Sequence, residues 1–223
     1  MSADGALVVR ETTGTVTVIR LADGPRRNAL SRSMVRQLRS ALADSAPASA
    51  PASALAIIAD GPHFCSGGDH DELAELSAKE FKDYVADVVG LFTDVAEVPV
   101  PVVVGMQGAV IGGGVELALQ ADLLVAADDV WFHLPQVAIG GRVGAASVRT
   151  LLARSRLGFT RRMVLLSERV GAEDAFTAGL VDRVVRRADL RSTVQEVACQ
   201  LSKTPACAVS RARASISEAV HRL

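Results

Sequence analysis

Three consecutive glycines, Gly112 to Gly114, stand just before a predicted helix start, and Glu116 falls in the first turn of that helix. The first backbone N–H groups of a helix have no intrahelical partner, so such a place attracts negative charge. Because glycine has no side chain, a phosphate or a developing oxyanion could approach this backbone closely. Neither a P-loop motif nor the last glycine of a dinucleotide fingerprint is present, which disfavours phosphate. The alternative is that the glycines only permit a tight turn and close packing.

Glu116 favours a binding or catalytic role for the glycine loop over a purely structural one. Its carboxylate is expected to lie beside any group that the glycine N–H groups bind. Its alternative role is to compensate the helix dipole, an effect of about 0.3 to 1 kcal/mol. A second glycine-containing loop, CSGGD at residues 65–69, follows a neighbouring predicted strand. Two such loops at the carboxyl edge of one parallel sheet could converge on a single oxygen atom.

The elements that must position these loops follow from the hydrophobic pattern. The apolar runs at residues 54–59 and 102–105 are typical of buried strands, and the glycine loops at 60–69 and 105–114 follow them directly. The other predicted elements are a hairpin at 7–11 and 15–21, a helix capped by Ser31, helices at 77–95, 115–120, 148–157, 161–166, 173–178 and 207–223, and strands at 123–126 and 181–185. Strand, loop, helix and strand units imply a parallel sheet with right-handed crossovers. The two-proline segment 44–53 is predicted to be a surface connection without chemistry.

Composition limits the classes of function. A chain of 223 residues, 49% of them hydrophobic, can bury one large core. Its 24 Lys and Arg against 25 Asp and Glu leave no charge excess for nucleic acid or an anionic membrane. Cys65, Cys199 and Cys207 lack disulfide or zinc spacing, and residues 1–14 hold no signal-peptide core, so we expect a cytoplasmic protein with reduced thiols and no metal. The apolar stretch 98–115 contains prolines and glycines that favour a strand and loop over a membrane span.

These residues resemble the enoyl-CoA hydratase/isomerase family, which has the crotonase (ClpP/crotonase-like) fold. The segment from Phe64 to Asp69 is similar to the family pattern F-x-A-G-A/G-D, and the segment from Gln107 to Asp122 is similar to N-G-x-x-x-G-G-G-x-E-L-A-x-x-x-D. Weaker similarities are Asn28-Ala-Leu, Leu134-Pro-Gln, and residues 172–175 and 179–182, all in the family's order. The resemblance implies an α/β fold of repeated ββα units with a parallel sheet, a core at 1–187, and a C-terminal helical region at 188–223 that is shorter than usual for the family.

The resemblance also implies a chemistry. An acyl thioester would lie with its carbonyl oxygen between the N–H groups of Gly68 and Gly113, and Glu116 would serve as general acid or base. The predicted substrate-binding residues are Arg27, Asn28, Ser66, Asp69, His70 and Arg142, of which His70 and Arg142 depart from the family pattern. Arg27 falls where family members bind the coenzyme A nucleotide, His70 would line the acyl pocket, and Arg142 would meet a polar acyl group. For all three, an ordinary solvent-facing position is the alternative, and Cys65 as a nucleophile is disfavoured against a packed free thiol.

Gln136 departs from the family pattern, because hydratases carry their second glutamate there and an amide cannot transfer a proton as a carboxylic acid does. Either Gln136 orients a water while Glu116 performs both transfers, or the reaction is changed. The predicted function is a hydratase or dehydratase, a lyase acting on an enoyl or 3-hydroxyacyl thioester. An isomerase, or a non-catalytic thioester-binding subunit that assists a polyketide-type partner enzyme, is the alternative. The expected substrate is a coenzyme A or carrier-protein thioester, without a further cofactor, in a homotrimer or hexamer, with secondary metabolism as one setting.

Overall fold

The computed structural model describes residues 5–45 and 53–222. Within these ranges strands and helices alternate along most of the chain. The strands are β1 Val8–Thr13, β2 Val16–Leu21, β3 Ala54–Ala59, β4 Val102–Met106, β5 Ala109–Ile111, β6 Leu123–Ala127, β7 Trp131–His133, β8 Val170–Gly171 and β9 Arg183–Val185. The α-helices are α1 Arg32–Ala43, α2 His70–Ala74, α3 Ala78–Glu97, α4 Gly113–Ala118, α5 Ala145–Arg154, α6 Leu157–Leu165, α7 Ala172–Thr177, α8 Leu190–Ser202 and α9 Ala206–His221.

The main sheet has six strands in the order β1-β2-β3-β4-β6-β9. Strands β1 and β2 form the predicted antiparallel hairpin, and the neighbours from β2 to β9 are all parallel, which confirms the predicted crossover units. Strand β3 is buried along its whole length because both faces of the sheet are covered. Leu55 and Ile57 belong to one apolar cluster, whereas Ala56 and Ile58 belong to a second cluster completed by α8.

A second, three-stranded sheet in the order β5-β7-β8 corrects the sequence prediction, which made residues 105–114 one continuous loop. Strand β5 lies inside that segment and pairs in parallel with β7, about one short helix and one strand further along the chain. Three residues between glycines give no period that a sequence pattern could detect. The consequence for the site is that Gly112 follows directly after a strand and directly precedes α4.

Side-chain caps fix the helices that flank the sheet. Ser31 accepts a hydrogen bond from the Met34 N–H at the start of α1, as predicted. Ser77 and Glu80 form a capping box at the start of α3, whose predicted extent is also confirmed. The predicted connection 44–53 falls mostly outside the described residues.

The two last helices attach to the sheet in different ways. Helix α8 packs through Leu190, Val194 and Val197 against the second apolar cluster. Helix α9 contributes no buried side chain, and its Arg213 reaches instead to the Asp122 carboxylate at 2.9 Å and the Val98 carbonyl at 2.5 Å. The division of the chain at residue 187 stays a prediction. None of the helices in 5–45 and 53–222 is long and apolar enough to cross a membrane.

Candidate active site

The two glycine loops found in the sequence are in direct backbone contact. The Ile111 N–H donates to the Cys65 carbonyl at 2.9 Å, which joins β5 to the first loop. A Cβ atom placed on Gly67 would lie 2.8 Å from the Ile111 carbonyl oxygen and 3.4 Å from the Gly113 nitrogen. A Cβ atom on Gly114 would lie 2.6 Å from the Cys65 carbonyl oxygen. The glycines are therefore needed for the approach of the two loops, as well as for any ligand.

Two backbone N–H groups at this junction lie outside its hydrogen-bond network. The Leu30 N–H donates to the Gly67 carbonyl at 2.7 Å, and the Gly112 N–H donates to the His133 carbonyl at 2.8 Å. Within the part of the chain that the structure describes, the N–H groups of Gly68 and Gly113 donate to no protein group. Gly113 is the first residue of α4, where an intrahelical acceptor cannot exist. The predicted donors are thus unoccupied and belong to loops that touch.

The carboxylate of Glu116 lies in the first turn of α4 and is buried, with 8% of its surface exposed. Its Oε1 accepts a hydrogen bond from the Gln136 Nε2 at 2.9 Å, and its Oε2 accepts one from the Gly144 N–H at 2.8 Å. A Cβ on Gly144 would lie 2.7 Å from Oε2, so a side chain there would displace the carboxylate. A carboxylate that only balanced the helix dipole would face solvent, whereas this one is fixed by two donors.

Gln136 is the second polar side chain of the site. Its Nε2 donates to Glu116, and its Oε1 is buried without a partner in the described residues. The side chain also approaches the glycine loop, because a Cβ on Gly112 would lie 3.8 Å from the Gln136 Nε2. A buried amide oxygen without a partner is costly, so this atom is a ready acceptor for a hydroxyl group or a water.

The structure brings some of the predicted substrate-binding residues near the loops without assigning them a contact. The Arg27 carbonyl accepts a hydrogen bond from the Ser66 N–H at 3.0 Å, while the Arg27 side chain is exposed. His70 is the exposed first residue of α2, and Arg142 is exposed in the segment before Gly144. The substrate roles of Arg27, Ser66, His70 and Arg142 stay predictions.

Asn28 and Asp69, the two other predicted substrate-binding residues, have protein partners. Asn28 is fully buried, and its side chain accepts from the Asp23 N–H at 2.8 Å and donates to the carbonyls of Asp60 at 2.9 Å and His63 at 3.0 Å. Asp69 caps α2 by accepting from the Glu72 N–H and forms an ion pair with Arg26. These polar atoms bind protein groups and so anchor the loops, and the predicted contacts of Asn28 and Asp69 with substrate stay predictions.

Cys65, at the start of the first glycine loop, is a buried free cysteine. It is fully buried, and burial raises the pKa of its thiol to about 12 although the Gly67 N–H partly offsets the shift. The thiolate is the form that reacts with electrophiles, so this shift disfavours Cys65 as a nucleophile. The packed free thiol favoured by the sequence is the better interpretation.

We expect iodoacetamide at pH 8 to alkylate Cys207, which is exposed, and to leave Cys65 unmodified in the folded protein. Peptide mass spectrometry after a timed reaction measures both sites, and the urea-denatured protein, in which both are modified, is the control. Equal modification of the two cysteines in the folded protein would contradict the assignment.

The described residues offer no site for a metal: they contain no group of three or more His, Cys, Asp or Glu side chains that could hold one. His63 accepts from the Ala109 N–H at 3.0 Å and so supports the loop after β4. The pKa of His133 is lowered, first by burial and then by the positive charge of Arg169. The expectation that no metal or redox cofactor is needed stays a prediction.

Sequence reasoning missed two groups of this site. The Gly144 N–H bonds Glu116 through the backbone, and no sequence pattern reports where a backbone donor points. Tyr84 on α3 is buried with its hydroxyl next to Gly68, since a Cβ on Gly68 would lie 3.3 Å from the Tyr84 Oη. Its place in an amphipathic helix is typical of any core residue, so only the packing of α3 on the first loop could reveal it.

Solved structures with the same architecture define the class. An enoyl-CoA hydratase from Bacillus anthracis matches with a TM-score of 0.91 at 24% identity, covering 96% of this chain and 84% of that chain. An enoyl-CoA hydratase from Mycobacterium smegmatis matches with a TM-score of 0.87 at 25% identity, covering 95% and 82%. The chain therefore has the crotonase fold, as predicted.

The sequence of the chain identifies the family within that class. A sequence model of the enoyl-CoA hydratase/isomerase family matches residues 11–222. A Mycobacterium leprae protein named "Probable enoyl-CoA hydratase echA6" is 32% identical over 185 residues, which are 82% of this chain and 72% of that protein. Carnitinyl-CoA dehydratase from Escherichia coli K12 is 33% identical over 147 residues, 66% of this chain and 56% of that protein. The chain belongs to the enoyl-CoA hydratase/isomerase family of enzymes.

Proposed function

We propose that this enzyme adds water to, or removes water from, an acyl thioester, with Gly68 and Gly113 as oxyanion donors and Glu116 as the proton-transfer group. The observation that carries the proposal is the pair of unoccupied N–H groups in two contacting loops, with a buried carboxylate three residues after one of them. Removing a proton next to a thioester places negative charge on the carbonyl oxygen. Donors aimed at such charge each contribute about 10²- to 10³-fold in rate.

Dehydration would then use one carboxyl group twice. Ionised Glu116 takes the proton from the α carbon of a 3-hydroxyacyl thioester, and the resulting enolate is stabilised by the two N–H groups. The same carboxyl returns that proton to the β-hydroxyl group, which leaves as water while the enolate electrons form the new double bond. The unpartnered Gln136 Oε1 would accept a hydrogen bond from the departing hydroxyl. Hydration is the reverse of these steps.

The surroundings of the loops favour an apolar acyl group. Around Gly113, a Cβ would meet the Leu30 side chain at 3.0 Å and the Phe92 ring at 4.0 Å, and around Gly68 it would meet the Leu73 side chain at 2.8 Å. Exposed Arg27, next to the first loop, is available to the phosphates of coenzyme A. A coenzyme A thioester rather than a carrier-protein thioester is therefore our proposed substrate.

The assembly and setting form part of the proposal. Exposed apolar side chains at the ends of α6 and α7, with Leu166 73% exposed and Phe176 53% exposed, support self-association, and we propose a homotrimer or hexamer in the cytoplasm. We also propose secondary metabolism as the setting, because Gln136 departs from the family pattern of the hydratases.

The experiment is turnover of a panel of 2-enoyl-, 3-enoyl- and 3-hydroxyacyl-CoA thioesters in H₂¹⁸O, followed by mass spectrometry. We expect ¹⁸O in the 3-hydroxyacyl product formed from a 2-enoyl substrate. Gln136, which cannot act as a second acid, favours the isomerase alternative, in which a 3-enoyl thioester becomes a 2-enoyl thioester without solvent oxygen. Binding of the thioesters by calorimetry without turnover of any of them would instead support the non-catalytic subunit.

Replacing Gln136 by Ala should lower turnover by about 10- to 100-fold, because a hydrogen bond to a charged group contributes about 1.5 to 3 kcal/mol. Steady-state kinetics on the substrate identified in the panel measures the effect. The matched control is Gln120→Ala, since the Gln120 Nε2 donates to the backbone carbonyl of Glu116 at 2.8 Å rather than to its carboxylate. Equal loss of activity in the two variants would argue against a specific role for Gln136.

A further inference from the structure

The hydroxyl of Tyr84 lies beside the first glycine loop and is bonded to the backbone. Tyr84 projects from α3 into the core, and its Oη donates to the Leu30 carbonyl at 2.8 Å. The same hydroxyl would lie 3.3 Å from a Cβ placed on Gly68. The hydroxyl thus lies against the segment that carries the Gly68 N–H.

A second hydrogen bond continues this connection to the oxyanion donor. The Leu30 N–H donates to the Gly67 carbonyl at 2.7 Å. That carbonyl and the Gly68 N–H belong to one peptide unit, which is planar and trans, so the two groups point in opposite directions. Fixing the direction of the Gly67 carbonyl therefore fixes the direction of the Gly68 N–H.

The loop itself contributes little to this orientation. Gly67 has φ +83°, and neither it nor Gly68 has a side chain that restricts the backbone. A peptide between two glycines rotates easily, so its direction must be set by the residues packed around it. Leu30 bonds this peptide through its N–H group, and the side chains of Leu73 and Tyr84 lie nearest to Gly68.

We propose that Tyr84 is a positioning residue: its hydroxyl holds Leu30, which holds the Gly67 carbonyl and so aims the Gly68 N–H at the thioester oxygen. The inference rests on the proposed function and adds a residue to it. Burial raises the pKa of Tyr84, so the hydroxyl keeps its proton and remains a donor throughout the pH range of an assay.

The test is Tyr84→Phe, which retains the ring and removes only the hydroxyl. We expect kcat to fall about 10- to 100-fold, the cost of a small misplacement of a reacting group, with KM within about threefold of the wild type. In isotope-edited infrared spectra of bound butyryl-CoA labelled with ¹³C at the carbonyl, the wild type should lower the carbonyl frequency more than the variant does. Thr93→Val is the control, because it also removes a hydroxyl group of α3 that donates to a backbone carbonyl. The exposed Thr93 Oγ1 donates to the Val89 carbonyl at 3.1 Å.

The outcomes separate the two proposals. If the wild type turns over thioesters and lowers the carbonyl frequency but Tyr84→Phe behaves identically, the role of Tyr84 is overturned and the proposed function stands. If the wild type itself neither turns over a thioester nor lowers its carbonyl frequency, the proposed function is overturned. The positioning role of Tyr84 is then overturned too, because it depends on that function.

A second measurement does not depend on the variant's folding. The sequence contains one tyrosine, so fluorotyrosine supplied during expression labels position 84 alone. We expect the ¹⁹F resonance to shift when butyryl-CoA saturates the site and to stay unchanged with coenzyme A alone, which lacks the acyl carbonyl. An unchanged resonance with butyryl-CoA bound would overturn the inference.

Discussion

Replacing Glu116 by Gln lowers the turnover of the acyl-CoA substrate by at least about 100-fold and leaves the temperature of unfolding nearly unchanged. This is the expected result if the carboxylate transfers the proton, because positioned proton transfer contributes about 10²- to 10⁴-fold. Steady-state kinetics and thermal unfolding of the same preparations measure the two quantities. Turnover within about fivefold of the wild type would remove Glu116 from the mechanism.

The stability expectation comes from the hydrogen bonds around the carboxylate. The new amide can accept from the Gly144 N–H with its oxygen and present its NH₂ group to Gln136. Gln136 can then turn its side-chain amide, so that its unpartnered Oε1 becomes the acceptor. Glu173→Gln is the matched control, since Glu173 lies in the first turn of α7, is exposed, and carries the same charge at the same kind of helix position.

Replacing Gly67 by Ala should lower turnover by about 100- to 1000-fold, the effect of losing an oxyanion donor. The residue has φ +83°, where an L side chain costs about 1 to 2 kcal/mol. Its Cβ would also lie 2.8 Å from the Ile111 carbonyl oxygen and 3.4 Å from the Gly113 nitrogen, so the two loops must separate. Kinetics below the unfolding temperature of the variant measures the catalytic part of the effect.

Gly14→Ala distinguishes backbone strain from separation of the loops. Gly14 lies in the turn between β1 and β2 with φ +60°, and nothing lies within 4 Å of an added Cβ. This control should lose a similar amount of stability to backbone strain and retain full activity. A Gly67 variant that keeps its activity would mean that contact of the two loops is not needed for catalysis.

The parts of the fold with strong local signals were predictable from the sequence. Ser31 and Ser77 cap helices that begin where the pattern indicates, and the apolar run at residues 54–59 forms the buried strand. The ordered motifs identified the family, which the family match over residues 11–222 confirms. These features depend on residues that are close in sequence or on a pattern that extends along the chain.

The rest depended on contacts between distant segments. Asn28 is part of a motif, yet its buried amide forms hydrogen bonds with the backbone of three other residues. A motif alone does not show whether such a side chain anchors a loop or binds a substrate. The hydrogen bond between Gln136 and Glu116 joins the segment after β7 to α4. Because these segments are distant in sequence, the sequence left the role of Gln136 open. The strands of the second sheet are two or three residues long and acquire their stability from pairing.

The polar attachment of α9 has a consequence for how the molecule opens. Asp122 accepts from the Val102 N–H at 2.7 Å and from the Arg213 guanidinium, so one carboxylate tethers the start of β4 to the terminal helix. Because α9 buries no side chain, its detachment exposes little apolar surface and costs far less than opening of the sheet. Amide protons of this helix should exchange with solvent while those of β3 and β4 remain protected, and added salt should widen that difference.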